Sequence, residues 1–197
     1  MKAFVHTLAV VLLGFTLAGS LAVVHERPAH ADRDLVTRVD FIAWSGINPD
    51  TFCVRIRDAQ AGNKLEVRQI TNPLPVVSVA VTDETEQGVF RGPQFAPWSF
   101  IVAGKAGTTA PNGWKVFGQF ERAAALFRVG VTNGRQSLEI GRMQPRPDAV
   151  GGGFAKATLR TAYWSPDSTR VVVIVNHRTG GAWPLDLDEP QGFKIGK

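Results

Sequence analysis

Sulfur and imidazole are scarce in this 197-residue chain, which has one cysteine, Cys53, and four histidines, of which only His177 lies beyond residue 31. A lone cysteine cannot close an internal disulfide, so stability has to come from packing. One histidine and one cysteine cannot assemble the zinc, copper or iron ligand sets at their usual spacings, and neither a metal site nor a cofactor is expected. Asp186, Asp188 and Glu189 carry oxygens of the kind Ca²⁺ accepts, but acidic turns of this sort are more often solvated loops. No Gly-x-Ser-x-Gly nucleophile motif occurs. Gly104-Lys105 lacks the flanking residues of a phosphate-binding loop, and Gly151-Gly152-Gly153 is not a dinucleotide fingerprint. Ser165, Asp167 and His177 are near one another in sequence, yet an extended strand between them would hold His177 roughly 20 Å from the turn. No block of five or six like charges occurs either. The net charge of +5 is dispersed, which describes a solvated surface and makes nucleic acid an unexpected partner.

What is present begins at the N-terminus. Lys2 precedes an apolar run from Ala3 to Val24, then come polar His25-Glu26-Arg27-Pro28 and the small-x-small triplet Ala29-His30-Ala31. This is the order of a secretory signal peptide over residues 1–31, with Asp32 as the new N-terminus. The run is also long enough to span a bilayer, which takes about 20 residues, so an uncleaved anchor is the rival reading. Either way the working part, residues 32–197, is expected in the periplasm or outside the cell. It reads as a single β-rich domain with no further membrane span.

Three segments repeat one design, an alternating apolar run, a polar or glycine-containing turn and a second alternating run, which is the hairpin signature. In the first, Phe52, Val54 and Ile56 share one face and Cys53, Arg55 and Arg57 the other; a turn over 58–63 leads to a second strand over 64–68. If those arginines stood close to Cys53 they would lower its thiol pKa. The second hairpin joins residues 127–131 to 137–140 through Asn133-Gly134, a pair that favours a type I′ turn. The third joins 170–176, apolar at every position from Val171 to Val175 and so covered on both faces, to 183–187 through Gly180-Gly181. Val76–Val81 reads as a strand and Trp98–Val102 as a short one. Residues 83–92 and 104–113 read as loops. Phe117, Phe120, Ala124 and Phe127 fall at helical spacing after Asn112, a residue suited to capping, so one short helix competes there with a strand.

Trp164-Ser165-Pro166-Asp167-Ser168-Thr169, followed by an apolar strand, resembles one repeat of the WD40-like family found in TolB-type β-propellers. A second copy starts at Ala43-Trp44-Ser45 and carries the insertion Gly46-Ile47-Asn48 before Pro49-Asp50-Thr51-Phe52. The resemblance implies antiparallel hairpins in propeller-blade-like units, with Pro and Asp setting a tight turn and Trp packing between sheets. Ser168 stands where the family usually has Gly. Blades of roughly 40 residues would allow about four, the lower limit for closure, so a small sheet assembly is expected rather than a closed propeller. The chain is also similar to bacterial predicted secreted proteins, a class that implies no activity.

With catalytic residue types so sparse, the leading expectation is an exported, non-enzymatic binding or envelope-associated β domain, its partner an envelope protein or polysaccharide. The alternatives are a carboxylate-dependent hydrolase of envelope or extracellular glycans, needing two acids about 5–9 Å apart, and a structural envelope subunit. A partner is expected along the loop-rich stretch 88–114, where Phe90, Arg91, Phe95, Trp98, Lys105 and Trp114 combine aromatic anchors with cations; the rival reading is that these aromatics complete the core as irregular strands. Trp183 is a further aromatic with binding potential. Cleavage after Ala31 predicts that the exported protein has an intact mass lacking residues 1–31; a mass that includes them would establish the anchor.

Overall fold

The computed structural model describes residues 35–102, 104–124, 126–143, 156–178 and 185–195. The N-terminal apolar run, the Pro/Gly stretch 145–153, the turn at Gly180-Gly181 and Trp183 lie outside the described residues.

The fold is mainly β. The strands are β1 (Leu35–Ser45), β2 (Thr51–Asp58), β3 (Gly62–Gln69), β4 (Asn72–Val81), β5 (Phe100–Val102), β6 (Lys105–Ala106), β7 (Lys115–Glu121), β8 (Leu126–Thr132), β9 (Ser137–Met143), β10 (Lys156–Trp164), β11 (Arg170–Arg178) and β12 (Leu185–Lys194). One short helix, α1 (Glu86–Phe90), and two 3₁₀ turns, Ala96–Trp98 and Arg122–Ala124, complete the described elements. The larger sheet runs β4-β3-β2-β1-β12-β11-β10-β6, with β5 paired to the end of β1; β7-β8-β9 form a second, antiparallel sheet.

The larger sheet is two antiparallel stretches joined by one parallel pairing. β1 to β4 form a meander whose register puts Val54 opposite Phe41 and Glu66, and Leu65 opposite Arg55 and Val79. β10 to β12 form the second stretch, with Val172 opposite Tyr163 and Gly192. Between them β1 meets β12 in parallel through three pairs, Leu35 with Leu185, Val36 with Asp186 and Thr37 with Leu187. The Arg38 guanidinium closes this seam, donating to both carboxylate oxygens of Asp186 at 3.1 and 2.7 Å and to its carbonyl at 2.9 Å.

Alternation assigns each side chain to a face. Val39, Phe52, Val54 and Ile56 pack with Val172 and Ile174, although β1 and β12 intervene between β2 and β11, so the sheet curls around this face. At one end of the curl, β5 pairs Trp44 and Ser45 of β1 while β6 pairs Tyr163 and Trp164 of β10. Gly104 sits between those two pairings, and a Cβ there would lie 2.9 Å from the Trp44 indole nitrogen and 3.1 Å from the Trp164 carbonyl. Only glycine lets the backbone pass so close. On the opposite face of the C-terminal stretch, Val171, Val173 and Val175 pack with Phe127, Val129 and Val131 of the second sheet. All five residues from Val171 to Val175 are completely buried, as expected for an uninterrupted apolar strand. Burial of each such side chain is worth about 1.5–3 kcal/mol.

Two local expectations need correction. The residues around Phe117 and Phe120 form β7, not a helix, and Asn112 caps nothing; its carboxamide oxygen accepts the Trp114 N–H within a turn. The helical spacing is a coincidence between two strands, because Phe120 lies directly opposite Phe127 on β8. Asn133-Gly134 does form a hairpin turn, but not a type I′ turn. Gly134 has φ +86°, Asn133 is not at positive φ, and the Asn133 side-chain oxygen accepts the N–H groups of Arg135 and Gln136 at 2.9 and 2.8 Å in a four-residue loop.

Trp44 and Trp164 lie in the last two residues of their strands, each is followed by a buried serine, and each precedes a hairpin strand. Ser165 Oγ meets Asp167 at 2.5 Å and accepts the Arg170 N–H at 3.0 Å, while Ser45 Oγ accepts the N–H groups of Ile47 and Asn48. Ser168 adopts φ +57°, the left-handed region that favours glycine. Replacing either tryptophan by Ala is expected to cost about 3–5 kcal/mol, read as a fall in the urea midpoint; neutral effects at both would show that neither turn is anchored by its indole.

Candidate binding cleft

The chain between β4 and β5 covers the meander on the face opposite the curl. Cys53, Leu65, Val67 and Val81 supply the sheet side of this contact; Val89, Phe90, Phe95, Trp98 and Phe100 supply the cover. Local chemistry shapes the segment. Glu86 opens α1 and forms an ion pair with Arg55 of β2, which ties the helix to the sheet. Arg91 caps the C-terminus of the helix, and Pro97 sits in the first positions of the 3₁₀ turn that follows. Ser99 then turns into the left-handed region at φ +47°. Two hydrogen bonds pin this corner to the first tryptophan turn, Ser45 Oγ–H to the Trp98 carbonyl at 2.5 Å and the Gly46 N–H to the Ser99 carbonyl at 2.9 Å.

α1 and the 3₁₀ turn part to leave a cleft of about 410 Å³, lined by Gln87, Phe90, Arg91, Phe95, Ala96, Ser99 and Phe100. Three phenylalanine rings form its apolar wall. The Phe90 centroid lies 6.0 Å from Phe95 and 5.9 Å from Phe100, and Phe95 and Phe100 are 6.4 Å apart. Phe95 is 1% exposed and anchors the group; Phe90 and Phe100 are half-buried and Arg91 is exposed. Among the described residues no carboxylate meets the Arg91 guanidinium, whereas Arg38, Arg55, Arg68 and Arg170 are all ion-paired.

Three of the six residues singled out from the sequence, Phe90, Arg91 and Phe95, therefore share one cleft. Trp98 is half-buried in the cluster beneath it. Lys105 is exposed on β6, which pairs with β10, and Trp114 packs against the core between the two sheets; neither lines the cleft. Gln87 and Ser99 line it without having been singled out. Nothing in the sequence marks Ser99 as left-handed, and residues 83–92 carry too little periodicity to show a one-turn helix.

A second concavity, of about 400 Å³, lies among Thr37, Ile56, Asp58, Lys64, Arg68 and the β12 residues 187–190. Its acids are already engaged. Asp58 accepts from Thr37 Oγ1 and the N–H groups of Gln60 and Ala61. Nearby, buried Glu66 lies between Lys64 at 2.8 Å and Arg68 at 2.7 Å. Asp188 takes Arg160, Asn176 and the Val39 N–H. Asp186, read from the sequence as an oxygen donor, is held by Arg38 down to about 2. No cluster of three or more metal-ligating side chains occurs among the described residues. His177 is wholly buried with Nε2 3.1 Å from Glu189, at the opposite end of β11 from Ser165 and Asp167.

Cys53 is a buried packing residue, and the lowering that close arginines would bring to its thiol does not occur. Burial pushes its thiol up to about 12, and the charges of Glu86 and Glu66 add to the effect. Arg55 shares its face, but that guanidinium is committed to Glu86. The folded protein is expected to resist iodoacetamide at pH 8 and to be alkylated fully once unfolded in urea, as followed by intact mass. Rapid alkylation without urea would mean that the segment covering Cys53 opens.

No protein-family model, curated protein or solved structure matches the chain.

Proposed function

We propose that this chain is an exported, non-enzymatic binding domain of the cell envelope, and that its partner docks in the cleft between α1 and the 3₁₀ turn. One observation carries the reading: an exposed arginine that meets no carboxylate among the described residues stands at the edge of a three-phenylalanine cluster. Arginine beside aromatic anchors is the composition that binding hot spots favour, and concave, mostly apolar surfaces with a few polar groups are where ligands bind. Placement in the periplasm or outside the cell is supported by Ala29-His30-Ala31 after the apolar run. Among the described residues no helix is long and apolar enough to cross a membrane.

The two tryptophan turns support a distant relationship to the WD40-like repeat. Each puts a buried Trp-Ser pair before a hairpin, and Ser168 takes the left-handed conformation at the position where the repeat usually has glycine.

Capture of envelope components by the immobilised protein tests the function. Phe90→Ser and Arg91→Glu are each expected to reduce capture by at least about tenfold, the weight of one lost hot spot. Arg135→Glu, at the tip of the β8–β9 hairpin, should leave it unchanged. Equal capture by all four proteins would remove the cleft from the binding surface.

A further inference from the structure

The geometry points to a small organic monoanion as the occupant of the aromatic cleft: an aryl or short acyl group against Phe90 and Phe100, which buried Phe95 backs, with its carboxylate on Arg91. The inference rests on the reading of the cleft as the docking site and adds the chemical class of the ligand. The volume of about 410 Å³ falls within the range of small-molecule clefts, roughly 300–1,000 Å³. Its wall of phenylalanine rings offers apolar faces and weakly positive ring edges to a flat or flexible hydrocarbon group.

Charge then decides the head group. The nearby acid, Glu86, is already taken by Arg55, so no unpaired carboxylate lines the cleft to receive a cation. Arg91 supplies a planar fork that matches a carboxylate in a bidentate geometry. A single cation against apolar walls suits one negative charge rather than the two or more of a phosphate monoester or an acidic glycan. Polar capacity is otherwise limited to the side chains of Gln87 and Ser99, too few to replace the hydration of a sugar bearing many hydroxyls. Ser99 is a non-glycine residue held at positive φ by hydrogen bonds on both of its flanks. Backbone strain of this kind persists where the surrounding structure fixes it, and it concentrates at ligand sites.

The test uses the full chain and three naphthalene probes of the same shape, the 2-carboxylate, the neutral 2-methanol and the cationic 2-methylammonium, titrated by calorimetry. The carboxylate is expected to bind one to one and about tenfold or more tighter than the alcohol, the weight of a charge-assisted hydrogen-bonded pair; the ammonium is expected not to bind. Arg91→Glu should abolish the preference for the carboxylate, Arg91→Lys should retain part of it, and Arg135→Glu should leave it intact. Equal affinity for carboxylate and alcohol in the unaltered protein, or indifference to Arg91→Glu, would overturn the ligand class. If the alcohol still bound and Phe90→Ser removed it, the cleft would stand as a docking site for an uncharged group. Failure of all three probes to bind would overturn the ligand class as well, while capture of envelope components by the unaltered protein, lost in Phe90→Ser, would still support the cleft as a docking surface.

Discussion

Two antiparallel stretches of sheet meet at three residue pairs, and the long-range order of this molecule runs through that contact. Parallel pairing is slightly weaker per residue than antiparallel pairing, so the β1–β12 seam needs reinforcement. Charge provides it. Arg38 spans the junction to Asp186, and the Val39 N–H reaches across to Asp188 at 3.2 Å. Because Asp186 is held at about 2, below its unfolded value, its contribution is fully present above about pH 4 and is lost only as the pH falls through about 2. The seam therefore stays ionised throughout the neutral range. The curl follows from it, since the packing of Phe52 and Val54 with Val172 and Ile174 requires the two stretches to be held side by side.

Electrostatic satisfaction separates scaffold from surface. Asp50 shows the first case: it pairs with Arg170 and Lys194, both at 2.6 Å, and so ties the first tryptophan turn to the strands that follow the second. Glu66 is likewise met by cations of its own strand, Asp186 by one from the adjacent β1, and Asp188 by Arg160 from β10, one strand beyond β11. Such pairs fix register and add little affinity for anything outside. Arg91, which meets no carboxylate among the described residues, differs in kind, because its charge faces solvent beside a concave apolar surface.

Much of the strand framework was legible in the sequence because it depends on nearest neighbours. Alternation at Phe52, Val54 and Ile56, and the unbroken run Val171–Val175, dictate burial patterns that any packing must respect. What could not be read depends on distant partners. The parallel seam joins residues about 150 positions apart, and no local pattern encodes it. β7 was ambiguous because Gly118 and the spacing of its phenylalanines obscure the alternation; a Cβ at Gly118 would lie 2.3 Å from the Phe127 ring, so the glycine makes room for a residue of the next strand. In the cleft, aromatic and arginine content marked the stretch that supplies its lining. The grouping of Phe90, Arg91 and Phe95, and the exclusion of Lys105 and Trp114, follow from the one-turn helix and the Ser45 anchor.

The strand buried on both faces carries a liability of its own. Val-Val-Val-Ile-Val is short, β-branched throughout and uncharged, the composition that stacks into cross-β assemblies when neighbouring strands are absent. During synthesis β11 emerges before β12, so for a time one of its edges has no native partner. Arg170 and Arg178 flank the run at either end, placed as gatekeepers that make self-stacking repulsive. In the finished fold the same two side chains are absorbed into ion pairs with Asp50 and Asp186. Their charges thus work against aggregation while the chain is incomplete and are neutralised once the native sheet has formed.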